Sequence, residues 1–98
     1  MAITKVTGSL LGNYTVGTSN VVVGDTAGDS LQSGGNYNVL VGDAAGTALT
    51  TGEQNVIIGA LAGDALTDAD FNVAVGLAAL SADTLGSRST AIGHGALE

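Results

Sequence analysis

The 98-residue sequence contains no cysteine and no proline, and Lys5 and Arg88 are its only basic side chains. The absence of cysteine excludes disulfide bonds and thiolate metal sites, so packing and hydrogen bonds must hold the fold together. Nine acidic residues give a net charge of −7, which disfavours nucleic acid as a partner because phosphates need clustered Lys or Arg. No apolar run reaches the roughly 18 residues that a membrane span requires. We therefore expect no nucleic-acid partner and no membrane partner.

Aromatic residues are also scarce, since only Tyr14, Tyr37 and Phe71 are present. Most other apolar residues are Val, Ala, Leu and Ile, and there are 16 glycines. β-branched residues suit strands and frequent glycines suit tight turns, and both lower helix propensity. The composition therefore indicates many short strands joined by turns.

A five-residue motif recurs along the chain, with one polar residue, three mostly apolar residues and a glycine. Its copies begin at Asn20, Asn38, Asn55, Asn72 and Ser89. We assign the glycines that end the copies to turns: Gly24, Gly42, Gly59, Gly76 and Gly93. The spacing of about 17 to 18 positions is nearly constant, and a fixed period is the sequence signature of a repeat fold.

The second half of the repeat is less regular than the first half. An alanine stands three residues after every turn glycine. A leucine follows at Leu31, Leu49 and Leu66 in the first three copies, but it comes earlier in the last two copies, as Leu80 and Leu97. The second half of the repeat has therefore drifted.

We predict an all-β fold, a parallel β-roll or solenoid of about five coils, each about 17 to 18 residues long. Each coil is expected to contain about five residues of strand, a glycine turn, a second short segment through the alanine and a polar loop. Stacking at about 4.8 Å per coil would make the array roughly 24 Å tall. The repeat domain covers residues 20–98. Residues 1–19 match the repeat poorly and are predicted to be an N-terminal cap or attachment segment, because repeat arrays protect their ends with atypical units.

The two faces of each strand are both apolar, since alternate residues point to opposite sides. We assign one set to the coil interior: Val21, Val23, Val39, Val41, Val56, Ile58, Val73, Val75 and Ile92. The other set would then form an exposed apolar stripe, and such stripes usually mark an interface. It comprises Asn20, Val22, Asn38, Leu40, Asn55, Ile57, Asn72, Ala74 and Ala91. We therefore predict a homo-oligomer with ladders of asparagines beside its apolar seam.

The last two copies of the repeat resemble a known family. Within Asn72–Leu80 and Ser89–Leu97, the strands and their glycines look like the "NSVAIG" signature of trimeric autotransporter adhesin heads of the YadA type. The two longer stretches are similar to the "NTAIGYQAL" repeats of bacteriophage tail fibres and related virion appendages. The resemblance covers residues 20–97. It implies a homotrimer of parallel β-rolls, intertwined or side by side, with the apolar seam on the threefold axis.

The resemblance implies a structural, non-enzymatic function. The period is longer than the adhesin coil, and adhesins carry a secretion signal and a membrane anchor that these 98 residues do not show. We therefore expect a module of a phage tail fibre, spike or capsid-surface appendage, located on the virion, and keep a bacterial cell-surface adhesin head as the alternative. The chain ends on the repeat motif, so we expect other virion structural proteins at its ends. Loops 32–35, 50–53, 67–70 and 81–88 are candidates for touching a host surface glycan or protein.

Two further kinds of site are weighed and set below the structural interpretation. Recurrent Gly-Asp pairs and a period near two nonapeptides suggest a calcium-binding β-roll, but the required GGxGxD is missing. His94, the only histidine, has no neighbouring nucleophile motif and is interpreted as a turn residue. The sequence therefore predicts no catalytic residue, no metal site and no cofactor.

Overall fold

The structure, a computed structural model, describes residues 17–98. Five parallel strands of three residues form one sheet in chain order. They are β1 (Val21–Val23), β2 (Val39–Val41), β3 (Val56–Ile58), β4 (Val73–Val75) and β5 (Thr90–Ile92). The predicted parallel β-solenoid is confirmed, with strands of three residues instead of five. The predicted N-terminal cap, residues 1–19, lies outside the described residues except for its last three.

Each strand pairs with the strand one coil further along the chain, so the repeat stacks on itself. Val39 pairs with Val56, and Val56 pairs with Val73. The hydrogen-bonded Asn38 and Asn55 are also 17 residues apart. Paired residues of β1 and β2 are one residue further apart in the sequence. Backbone hydrogen bonds also join the turns of successive coils, as from the Gly46 amide to the Ala62 carbonyl at 2.9 Å. Because this stacking continues beyond the strands, each coil is held along much of its path.

Overlapping turns take the place of the second segment predicted after each glycine. In the second coil, the amides of Ala45 and Thr47 each donate to the carbonyl three residues earlier, at 3.1 and 3.2 Å. Ala44 and Gly46 have positive φ, as do the equivalent residues of the other coils. The five turn glycines have φ between 127° and 134°, a conformation that favours glycine. These left-handed residues let the chain reverse within a few positions.

The structure reverses the predicted assignment of the two strand faces. Of the nine residues predicted to form the oligomer interface, seven are buried inside the coil, namely Asn38, Leu40, Asn55, Ile57, Asn72, Ala74 and Ala91. The other two, Asn20 and Val22 in the first coil, are half-buried. The nine residues predicted to fill the coil lie on the outer face of the sheet and are half-buried or exposed: Val21, Val23, Val39, Val41, Val56, Ile58, Val73, Val75 and Ile92. Both assignments are therefore wrong. The physical reason is that the asparagines form their hydrogen bonds inside the coil, so the residues on their side of the strand point inward.

Inside the coil, a large residue in the strand goes with a small residue in the turn six positions later, and the reverse also occurs. Ile57 is followed six residues later by Gly63, and a Cβ at Gly63 would lie 3.0 Å from Cδ1 of Ile57. In the fourth coil the equivalent residues are Ala74 and Leu80, and Leu80 is buried. A small strand residue thus accompanies a large turn residue. This exchange explains why leucine comes early in the fourth copy of the repeat.

Replacing Gly59 by alanine should destabilise the fold more than the same change at Gly93. Both glycines have similar φ, 131° and 127°, so alanine should be strained by about 1–3 kcal/mol at either position. A Cβ at residue 59 would also lie 2.5 Å from the carbonyl oxygen of Gly76, whereas one at residue 93 meets no atom closer than 3.9 Å. Urea denaturation followed by circular dichroism compares the two variants. Equal losses of stability would show that coil stacking does not exclude a Cβ at this turn.

The size exchange predicts a coupling between Ala74 and Leu80. Ala74→Ile should overpack the fourth coil at a cost of about 1–3 kcal/mol, and Leu80→Gly should leave a cavity costing about 2–5 kcal/mol. Together they recreate the pairing of Ile57 with Gly63, so the double variant should be about 1–3 kcal/mol more stable than additivity allows. Denaturation of the four proteins measures this coupling. Strictly additive losses would mean that the two side chains do not share one space.

Candidate functional site

A ladder of asparagines runs through the coil interior beside the apolar column. Oδ1 of Asn38 accepts the backbone N–H of Asn55 at 2.9 Å, and Oδ1 of Asn55 accepts that of Asn72 at 2.9 Å. The three side-chain amides donate to carbonyls of the loops that close their coils, at 2.8 to 2.9 Å. The asparagines thus stack in a ladder, but the ladder lies inside one chain and not at a seam between copies.

The backbone just before each strand explains why asparagine is buried there. The residues that precede the asparagines, including Gln54 and Phe71, have φ near 60°. This left-handed conformation interrupts the regular pairing of successive coils at that point. The side-chain oxygen of asparagine then serves as the acceptor for the next coil, while its amide group bonds the closing loop. A buried amide with these partners avoids the penalty of unsatisfied polar groups, so asparagine can point inward.

Replacing Asn55 by leucine should be strongly destabilising although the side chains are similar in size. Leucine would leave the backbone N–H of Asn72 and the carbonyl of Ala69 without their present partners. Each unsatisfied buried group costs about 1–3 kcal/mol, so the expected loss is about 2–6 kcal/mol. Chemical denaturation measures it against the control Gln32→Leu, an exposed loop position outside the outer face that is expected to change stability by less than about 0.5 kcal/mol. Similar losses for the two variants would contradict a special role for the buried amide.

The outer face of the sheet is the main candidate functional surface. We define it as the first and third residues of the five strands, which are Val21, Val23, Val39, Val41, Val56, Ile58, Val73, Val75, Thr90 and Ile92. Nine of these ten residues are β-branched and apolar, and the exposed fraction reaches 47% at Val21 and 68% at Ile92. No ionisable side chain belongs to this set. A continuous apolar face of this kind is typical of a protein–protein contact.

Two largely exposed columns border the outer face. The preceding column consists of the residues just before the strand-opening Asn or Ser, which are Ser19, Tyr37, Gln54, Phe71 and Arg88. The following column consists of the residues just after the turn glycines, which are Asp25, Asp43, Ala60, Leu77 and His94. Tyr37, Phe71 and Leu77 are 55%, 43% and 50% exposed. The apolar surface therefore extends beyond the strands on both sides, most clearly in the fourth coil.

Arg88 is the only basic side chain among residues 17–98. Its guanidinium carbon lies 5.2 Å from the centre of the Phe71 ring, one coil below. This distance is typical of a cation–π contact. Arg88 thus covers part of an exposed aromatic ring at the edge of the outer face.

A second polar ladder, which the sequence reasoning missed, lies two residues before the asparagines. Its members in successive coils are Asn36, Glu53, Asp70 and Ser87. The backbone N–H of Glu53 donates to Oδ1 of Asp70 at 2.8 Å, and that of Asp70 donates to Oγ of Ser87 at 3.0 Å. The polar residue at this place in every copy is the signal that could have identified it. Asn36, Asp70 and Ser87 each accept a backbone amide of the preceding coil, whereas the Glu53 carboxylate accepts the side-chain amide of Asn36 at 3.4 Å.

Asp25 and Asp43, two aspartates of the Gly-Asp pairs, lie in different coils from each other and from His94. Asp25, Asp43 and His94 lie in the following column of three different coils and are exposed. Within residues 17–98, no three His, Asp or Glu side chains are grouped as ligands of one metal ion. The same part of the chain has no helix of the length and hydropathy needed to cross a membrane. The outer face thus remains the main candidate for a functional surface.

Comparison of the chain with protein-family models, with curated proteins and with solved structures gave no match. The function must therefore be inferred from the repeat, the ladders and the outer face.

Proposed function

We propose that this chain is a non-enzymatic structural module of a bacteriophage tail fibre, spike or capsid-surface appendage, and that three copies associate through the outer face of the sheet. The observation that carries the proposal is the β-branched outer face, which is apolar in all five coils. The resemblance of Asn72–Leu80 and Ser89–Leu97 to phage appendage repeats supports the placement on a virion. Other virion proteins would adjoin the ends of the rod.

The hydrophobic effect favours covering the outer face. Fully burying a Val or Ile side chain contributes about 1.5–3 kcal/mol. Most of these residues are already half-buried in one chain, so association would gain roughly 1 kcal/mol for each one that it covers. Summed over the nine apolar side chains, the gain is comparable to the cost of bringing the copies together. The loops remain outside such an assembly and carry part of its acidic charge, at Glu53, Asp68, Asp70 and Asp83.

A mechanical role agrees with the way in which the chain uses its polar groups. The asparagine ladder repeats the same hydrogen bonds from coil to coil, as in the parallel bonds made by Asn38, Asn55 and Asn72. A catalytic site is a single group of different residues at one place. Repetition along an axis instead gives a stiff array in which every coil supports its neighbours.

Replacing Ile58 by aspartate should dissociate the trimer and leave the coil folded. Ile58 is 37% exposed on the outer face, so a carboxylate there remains hydrated in the single chain and is buried only on association. Light scattering after size exclusion should give three times the 9.4-kDa chain mass for the native protein and one chain mass for the variant. Circular dichroism should show the same secondary structure for both.

Two matched variants complete this experiment. Leu85→Asp changes a residue that is 65% exposed in a loop away from the outer face, and it should leave the trimer intact. Ile57→Asp places the same charge in the coil interior and should unfold the chain. A native protein with the mass of one folded chain at micromolar concentration would refute the proposed assembly.

A further inference from the structure

The two columns that border the outer face match each other in chemistry in the first, second and fourth coils. In the second coil, Tyr37 provides a phenol donor on one side and Asp43 provides a carboxylate acceptor on the other. In the fourth coil, both positions are apolar, with Phe71 and Leu77 exposed by 43% and 50%. Tyr37 therefore has a polar counterpart and Phe71 has an apolar one.

The other three coils agree with this pattern or leave it open. In the first coil, the hydroxyl of Ser19 corresponds to the carboxylate of Asp25. In the third coil, Gln54 corresponds to the small Ala60, which places no charge there. In the fifth coil, Arg88 is directed to the ring of Phe71, so this coil does not test the pattern.

The members of one such pair cannot meet within a single chain. They lie six residues apart, at the two ends of the same strand. Three strand residues alone span about 10 Å. A contact between them therefore requires a second copy, and the matched chemistry identifies that copy as another molecule of this chain.

We propose that the preceding column of one copy packs against the following column of its neighbour, with each coil facing the same coil. This inference rests on the self-association proposed above and adds the register and the contacting residues. When copies are related by rotation about an axis parallel to the stack, each coil stays level with the same coil of the neighbouring copy. The strand beginnings of one copy then face the strand ends of the next. Six residues of a coil climb only about a third of the roughly 4.8 Å spacing, so the paired residues lie at nearly the same level.

An antiparallel pair of chains fits the same surfaces less well. A twofold axis along the strands would bring preceding columns together and place the second coil against the fourth. Tyr37 would then face Phe71, which is a favourable pair. The carboxylate of Asp43 would face Leu77, and this contact would desolvate a charge without giving it a partner. The parallel arrangement instead gives both Asp43 and Leu77 a matching neighbour.

Engineered cysteines can test the register because the chain has none of its own. The central coil offers the pair Gln54→Cys and Ala60→Cys, at an exposed and a half-buried position outside the coil interior. Mild oxidation followed by denaturing electrophoresis should give covalent multimers up to the trimer. Mismatched controls combine Gln54→Cys with Asp43→Cys or Leu77→Cys, one coil away on either side. Since a disulfide tolerates only a narrow range of distances and one coil is about 4.8 Å, the matched pair should react at least about tenfold faster.

Further variants separate the alternatives. Gln54→Cys alone should give no multimer, whereas its rapid dimerisation would show the antiparallel arrangement and overturn the inference. Equal rates for matched and mismatched pairs in a protein of trimer mass would overturn the register and leave the trimer standing. The mass of a single chain in the reduced, folded variants would overturn both. The pair Tyr37→Cys and Asp43→Cys repeats the test in a second coil, so a folding defect in the central coil does not prevent a result.

Discussion

The hydrogen bonds of the buried asparagines are the constraint on which the rest of the structure depends. Each side chain joins the next coil through its oxygen and the closing loop through its amide, as Asn55 does with Asn72 and Ala69. Those bonds require the asparagine to point into the coil. Because alternate strand residues share a side, Ile57 must point inward with Asn55, and Val56 and Ile58 must point outward. In four of the five coils, one asparagine amide therefore decides which apolar residues form the interior and which remain available for a partner.

The sequence was sufficient to predict the repeat, the parallel strands and their positions, because a fixed period of about 17 to 18 residues leaves few ways to stack. It was not sufficient to assign the faces by hydrophobicity. Both sets of strand residues are apolar, and the prediction placed the asparagines, with the strand residues that share their side, outside the coil. The residues before the asparagines, such as Gln54 and Phe71, have φ near 60°, and the inward asparagine side chain supplies the hydrogen bonds that regular pairing lacks there. Counting these hydrogen bonds reverses the assignment of the faces. The same accounting would have revealed the second ladder at Glu53 and Asp70. Neither the left-handed residues nor the short strands are visible in an alternation pattern.

The volume of the coil interior limits how far the sequence of the second half of the repeat can vary. The coil is narrow. Where the strand residue is large, the turn residue six positions later is small, and where the strand residue is small, the turn residue is large. Ile57 with Gly63 and Ala74 with Leu80 fill comparable space by opposite means. A repeat can therefore lose its regular leucine and stay packed if volume moves from strand to turn. Hydrogen-bonding positions have no such freedom, which agrees with asparagine opening four of the five copies.

The distribution of charge connects the single coil with the proposed assembly. The nine acidic residues give the chain a large negative charge, and copies of it must repel one another unless the contact surface excludes carboxylates. The outer face meets that condition, since its ten positions contain no ionisable residue. The columns at its borders do contain Asp25 and Asp43, and these are the carboxylates that an arrangement must accommodate. A parallel arrangement places them beside hydroxyl donors, whereas an antiparallel one sets Asp43 against a leucine. Electrostatics at the edge therefore supplies the specificity that a uniform valine surface lacks, because such a surface would fit copies in several registers equally well.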